Sequence, residues 1–248
     1  MGHEFELTSE SEVIATPEEV WAAIATGPGI DSWFMGRTEV ESGVGGAVRT
    51  AFAEYTPDAP VTVWDPLERL VYGTEPAADG RFVAYEFLIE GRRGGSTVLR
   101  TVTSGFLPGD DWADEFEAMT TGMELFFRTL VEYLAYFAGR AASPVTAFGP
   151  PVADWDKAWF TLGVELGLDR RPVAGDLVRA RIDERTAVEG VVYFANADTV
   201  GIRTTDALYR FLRGFGGPMV AGHHLFAPDQ DAVESDRTWQ AWLGRVFG

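Results

Sequence analysis

Val13-Ile14-Ala15-Thr16-Pro17-Glu18-Glu19-Val20-Trp21-Ala22-Ala23-Ile24 changes its period in mid-course, and that change organises the whole N-terminal half. Before it, residues 4 to 15 alternate loosely between polar and apolar types, as a strand with one wet face does. At Thr16 a capping hydroxyl, a proline at the first helical position and Glu19 three residues after the cap predict a helix start. Val20, Trp21 and Ile24 form its apolar side. Gly27-Pro28-Gly29 is expected to end it, with Ile30-Asp31-Ser32-Trp33-Phe34 adding one or two further turns before Gly36.

Downstream, residues 37 to 107 read as a meander. Candidate strands at 37–42, 47–54, 60–65, 69–75, 81–91 and 95–106 are separated by Gly45-Gly46, Asp65-Pro66, Asp79-Gly80 and Gly94-Gly95, all turn chemistry. From 110 to 138 the period becomes helical. Trp112, Phe116, Met119, Met123, Phe126, Leu130, Leu134 and Phe137 recur every three or four residues, laying one stripe along a helix of roughly 40 Å.

The remainder divides differently. Residues 1–140 read as one domain, 141–152 as a proline-rich linker from Ser143-Pro144 to Pro150-Pro151, and 153–248 as a smaller α+β unit. In that unit a helix is predicted at 154–166, strands near 175–183, 187–196, 199–204 and 218–226, and a final helix at 229–246. Gly175-Asp176-Leu177-Val178 echoes Gly46-Ala47-Val48-Arg49, so the unit reads as a shortened, degenerate repeat of the first.

Composition narrows the classes of function. The 248 residues carry 38 acidic and 20 basic side chains, a net charge of −18 that repels nucleic acid and anionic lipid. The excess is concentrated in residues 1–138, with 24 acidic and 8 basic side chains. Cysteine is absent, which excludes disulfides and thiolate chemistry. No apolar run reaches the roughly 18 residues of a membrane span. The N-terminus lacks the layout of a signal peptide, so a cytoplasmic location is expected.

Taken in order and spacing, the Val13–Ile24 segment, Gly29-Ile30-Asp31-Ser32-Trp33-Phe34, the Gly45-Gly46 turn, Asp65-Pro66-x-x-Arg69-Leu70-Val71-Tyr72 and the long helix with Gly122-Met123 at its middle resemble the SRPBCC or START-like superfamily. The closest branch is the one named after an activator of the heat-shock chaperone ATPase. The resemblance covers residues 4 to 138. It implies an α+β helix-grip fold, a curved antiparallel sheet wrapped on one long C-terminal helix, with a cavity between them. It further implies an apolar ligand, lipid-like, polyketide-like or aromatic, with chaperone regulation or another protein contact, and cyclase or hydrolase chemistry, as alternatives. Fold does not decide among these.

Ring faces and flexible thioethers suit an irregular apolar ligand, so Phe116, Met119, Met123 and Phe126 are the candidate wall on the helix, although a packed core writes the same stripe. Trp33, Phe34, Trp64, Tyr72, Tyr85 and Phe87 are the candidates from the short helices and the sheet. Tyr85 and Phe87 stand two apart and share a strand face, which turns Glu86 outward. No catalytic residue, metal site or cofactor is predicted. His223 and His224, adjacent on a strand, point to opposite faces and cannot chelate together. No nucleic-acid partner or membrane insertion is expected, and the oligomeric state is left open.

Overall fold

The computed structural model describes residues 2–51, 56–92, 94–110, 112–214, 217–228 and 231–248, apart from the side chains at 114 and 118. The chain forms two compact units, Met1–Ala141 and Ala142–Gly248.

In the first unit β1 (His3–Val13) leads to α1 (Pro17–Ala25) and α2 (Gly27–Ile30). The meander follows as β2 (Arg37–Val40), β3 (Ala47–Ala51), β4 (Asp58–Asp65), β5 (Arg69–Gly73), β6 (Phe82–Gly91) and β7 (Thr97–Leu107), and α3 (Trp112–Tyr136) closes the unit. The seven strands form one antiparallel sheet in the order β1-β7-β6-β5-β4-β3-β2. This is the helix-grip plan. The first strand returns to pair with the last, His3 opposite Leu107 and Val13 opposite Thr97, and α3 packs against β1, β7 and α1. Leu125, Leu130 and Leu134 of α3 and Phe137 just after it are completely or almost completely buried, so the helical stripe is the face turned to the sheet.

The capping box forms as the sequence dictates. Thr16 Oγ1 accepts from Glu19 N–H, and the Glu19 carboxylate accepts from Thr16 N–H at 2.8 Å. The Gly27-Pro28-Gly29 stretch behaves otherwise than expected: it does not merely end α1 but builds α2. Thr26 Oγ1 accepts from Gly29 N–H at 3.1 Å, and Pro28 sits in the first turn, where its missing N–H costs nothing. A Cβ on Gly27 would lie 2.3 Å from the Thr38 carbonyl oxygen, so only glycine lets α2 approach β2 this closely.

The second unit comprises β8 (Ser143–Pro151), α4 (Trp155–Glu165), β9 (Leu177–Arg181), β10 (Ala187–Ala195), β11 (Thr199–Arg203), β12 (Ala207–Arg213), β13 (Pro218–Leu225) and α5 (Ala232–Phe247). Its sheet order is β8-β13-β12-β11-β10-β9. Again the first strand pairs with the last and a helix ends the unit, with one strand fewer and a single helix after the first strand.

Two departures from the sequence reading stand out. The stretch expected as a linker, 141–152, contains β8. Pro144, Pro150 and Pro151 are tolerated because β8 is an edge strand, where a missing N–H leaves no neighbour unsatisfied. In addition, β12 was not expected, because Ala207-Leu208-Tyr209-Arg210-Phe211 is buried at every position and shows no alternation. No helix among the described residues is long and apolar enough to cross a membrane.

The interior of the second unit is a ring cluster. Trp239 of α5 has its ring centroid 4.1 Å from His223, 5.4 Å from Tyr209, 5.9 Å from Phe211 and 5.5 Å from Trp242. At this point the β12–β13 ladder is interrupted: side chains take over, with Arg210 N–H donating to His223 Nδ1 at 3.0 Å and Arg210 Nε donating to the Gly222 carbonyl at 2.8 Å. Burial, and then the charge of Arg210, hold the His223 imidazole well below its ordinary pKa.

The folded state therefore binds this proton less readily than the unfolded chain. The stabilisation is complete above about pH 6.5 and is lost as pH falls below it, by up to about 1.4 kcal/mol per pH unit. Chemical denaturation at pH 7 and pH 5 should show a smaller acid-induced loss for His223→Gln, whose amide oxygen can still accept from Arg210 N–H. An unchanged acid loss would count against the assignment.

Candidate functional site

The first unit positions its site from three directions. On the sheet, the register places Tyr72 opposite Tyr85 and Tyr85 opposite Thr103, while Leu70 faces Phe87 and Phe87 faces Thr101. These side chains share the face turned to α3 because strand residues two apart do so. From α3, Met123, Phe127 and Leu130 come down at spacings of four and three. From the turn after α2 come Trp33 and Phe34. Trp33 is anchored by its indole N–H, which donates to the Ala23 carbonyl at 3.0 Å, and Asp31 fixes the same turn by accepting from Thr38 N–H at 2.7 Å.

Tyr72, Tyr85, Phe87, Thr101 and Thr103 of the sheet, the three α3 side chains, and Trp33 and Phe34 together line a narrow slot between sheet and helix. Its walls are mostly rings: Phe34 lies 5.3 Å from Trp33, Trp33 6.3 Å from Phe87, and Tyr72 6.1 Å from Phe87 in a near-parallel stack. The open volume is about 20 Å³, room for roughly one water molecule.

Of the residues the sequence singles out, the slot brings together Trp33, Phe34, Tyr72, Tyr85, Phe87 and Met123. Phe126 stands behind it, its ring 4.5 Å from Phe34. Trp64 is carried elsewhere: at the end of β4, opposite Leu70, its ring meets Trp21 edge to face at 5.2 Å. Phe116 packs near Phe5, ring centroids 5.9 Å apart, and half-buried Met119 does not line the slot. Thr101, Val102, Thr103, Phe127 and Leu130 line it without having been singled out as wall. The signal for Phe127 and Leu130 was in the helical period, since they follow Met123 by four and seven. The threonines carried no such signal, because a threonine on a strand reads as an ordinary β-former.

The electrostatics of the slot are simple. Among the described residues the one lining residue with a charge is Glu86, and its carboxylate accepts from Arg69 Nε at 2.7 Å on the opposite face of the sheet. The Tyr72 phenol is pushed far up by burial, and further by neighbouring Tyr85. Tyr85 keeps some surface open, yet burial pushes its phenol up to about 12. Both tyrosines are thus protonated donors at any physiological pH. Among the described residues, none of the hydroxyls of Tyr72, Tyr85, Thr101 and Thr103 has a hydrogen-bond partner. None of the four is among the fully buried unpartnered polar atoms of the described residues, so each still reaches water.

Across residues 14–135 the sequence matches the family described as Activator of Hsp90 ATPase homolog 1-like protein. The first unit belongs to that family. No curated protein matches the chain. Among solved structures, the Activator of Hsp90 ATPase homolog 1-like unit is similar to the Aha1 dimer from Colwellia psychrerythraea, at 20% identity over 54% of this chain and 99% of that one, TM-score 0.43. The whole chain is similar to the di-domain ARO/CYC BexL from the BE-7585A biosynthetic pathway, at 12% identity over 98% of both chains, TM-score 0.47. It is also similar to DynU16, from the dynemicin biosynthetic locus, at 14% identity over 98% of this chain and 95% of that one, TM-score 0.43. The family assignment rests on the sequence match of the first unit.

Proposed function

We propose that the Activator of Hsp90 ATPase homolog 1-like unit binds an apolar small molecule in the slot between its sheet and α3. The observation that carries this reading is the set of hydroxyls without a protein partner on a ring-lined face that still reaches water, where a ligand's polar atom can meet them without breaking a bond within the protein. The slot has room for about a single water, which can serve them. A ligand takes the water's place by moving Met123, whose unbranched thioether has three rotatable bonds and readily adopts new rotamers. The reading needs no catalytic group.

A titration with the uncharged dye Nile red, followed by its emission, tests the proposal. Saturable binding is expected, and Met123→Trp, which fills the slot, should weaken it at least about tenfold, the cost of losing one well-packed apolar contact. Non-saturable binding, or binding indifferent to the substitution, would overturn the proposal.

The family description together with the strong acidity of residues 1–138 supports a second reading, an electrostatic contact with a basic face of a chaperone. Its signature is a complex lost at high salt, where charges separated by more than about a Debye length are screened. The second unit, whose strand order repeats the winding of the first, is read as a shortened second copy of the same plan.

A further inference from the structure

We infer that the slot selects an uncharged ligand with a hydrogen-bonding oxygen on an aromatic body, rejects the corresponding carboxylate, and uses Tyr85 and Thr103 as its specificity-determining residues. This rests on the binding reading above and specifies what that site accepts.

The hydroxyl-bearing residues are arranged rather than scattered. Tyr72, Tyr85 and Thr103 are consecutive cross-strand partners on β5, β6 and β7, and Thr101 stands two residues along β7, opposite Phe87. Directly opposed residues hold their Cβ atoms about 4.5–5.5 Å apart, so the side chains rise from one line of the sheet face, the threonine hydroxyls next to the backbone and the phenol oxygens a ring's length farther out. Every hydroxyl can donate as well as accept. A ligand carbonyl, ether or hydroxyl oxygen laid on this row therefore finds a partner in either sense.

The surrounding surface sets the rest of the ligand. Trp33, Phe34, Phe87 and Phe127 offer ring faces and edges, which favour a flat aromatic body in offset or edge-on contact. Among the described residues no arginine, lysine or histidine lines the slot, and the Glu86 carboxylate is engaged by Arg69 on the far side of the sheet. A carboxylate entering here would shed its water with no cation among the described lining residues to meet it. It would also approach through the field of a unit with 24 acidic and only 8 basic side chains in residues 1–138. The raised phenol pKa of Tyr85 keeps it a donor throughout the physiological range, so the selection is independent of pH there.

Three probes of one size separate the alternatives on the full chain: acetophenone, ethylbenzene and benzoate at pH 7, with dissociation constants from ligand-detected NMR. Acetophenone should bind at least about tenfold more tightly than benzoate and severalfold more tightly than ethylbenzene, the worth of one net hydrogen bond. The double variant Tyr85→Phe, Thr103→Val should bring acetophenone to the level of ethylbenzene and leave ethylbenzene unchanged. Tyr85→Phe alone serves the same comparison if the double variant fails to fold. Benzoate binding as tightly as acetophenone, or an acetophenone preference untouched in the variants, would overturn the selectivity while leaving the binding reading in place. Failure of all three probes to bind would overturn the binding reading and this inference with it.

Discussion

Leu130→Ala is expected to lower the unfolding free energy by about 2–5 kcal/mol, the usual range for truncating a fully buried leucine. Leu130 is completely inaccessible, sits on the sheet-facing side of α3 and lines the slot beside Phe127. The loss has two parts, the transfer energy of the deleted methyls and the cavity left behind. The second part has a functional consequence here, because the new space opens into the existing slot. An uncharged aromatic such as acetophenone should therefore recover more stability in Leu130→Ala than in the unmodified protein. Urea denaturation with and without the compound checks both statements. A loss below about 1 kcal/mol would mean that α3 does not pack on the sheet as described.

Trp239→Ala should cost about 3–5 kcal/mol in the second unit, among the largest single-residue effects this chain offers. Trp239 is 1% exposed and is the hub of the ring cluster, in contact with His223, Tyr209, Phe211 and Trp242. Its removal also strips the packing around His223, the side chain that accepts the Arg210 backbone N–H where the ladder is interrupted. Trp239→Phe keeps a ring in place and should cost less than half as much. Equal losses for the two substitutions would show that the cluster depends on the indole N–H and not on ring packing.

The first unit was legible because its local signals agree with one another. The capping residues at Thr16 and Glu19, the turn glycines and the period of the Trp112–Phe137 stripe each point to the same element order, and the structure follows it. Agreement across levels is what makes a sequence readable. The second unit was harder to read for identifiable reasons. Proline in β8 is a breaker in a central strand but acceptable at an edge, and edge position is a tertiary fact. Buried on both faces, β12 has no alternation to detect.

The slot was partly legible for similar reasons. Strand alternation put Tyr85 and Phe87 on one face and the helical stripe included Met123, whereas Tyr72 joins that face only through the β5–β6 register. That Trp64 meets Trp21 instead of the slot is a tertiary fact no local signal announces, and the choice between Phe126 and Phe127 depends on the rotation of α3. Thr101 and Thr103 become visible as a polar row only when the β6–β7 register is known.

The central claim, a ligand slot between sheet and α3, is tested most directly by methyl NMR of the methionines. The chain has five, at positions 1, 35, 119, 123 and 219. Met123 lines the slot, Met119 lies one turn away along α3, and Met219 is fully buried in the core of the second unit. With methionine methyl groups labelled, titration with acetophenone should shift the Met123 resonance saturably and much more than that of Met119, and leave Met219 in place. A Met123 resonance that stays fixed while the compound binds, or a larger response at Met219, would contradict the account.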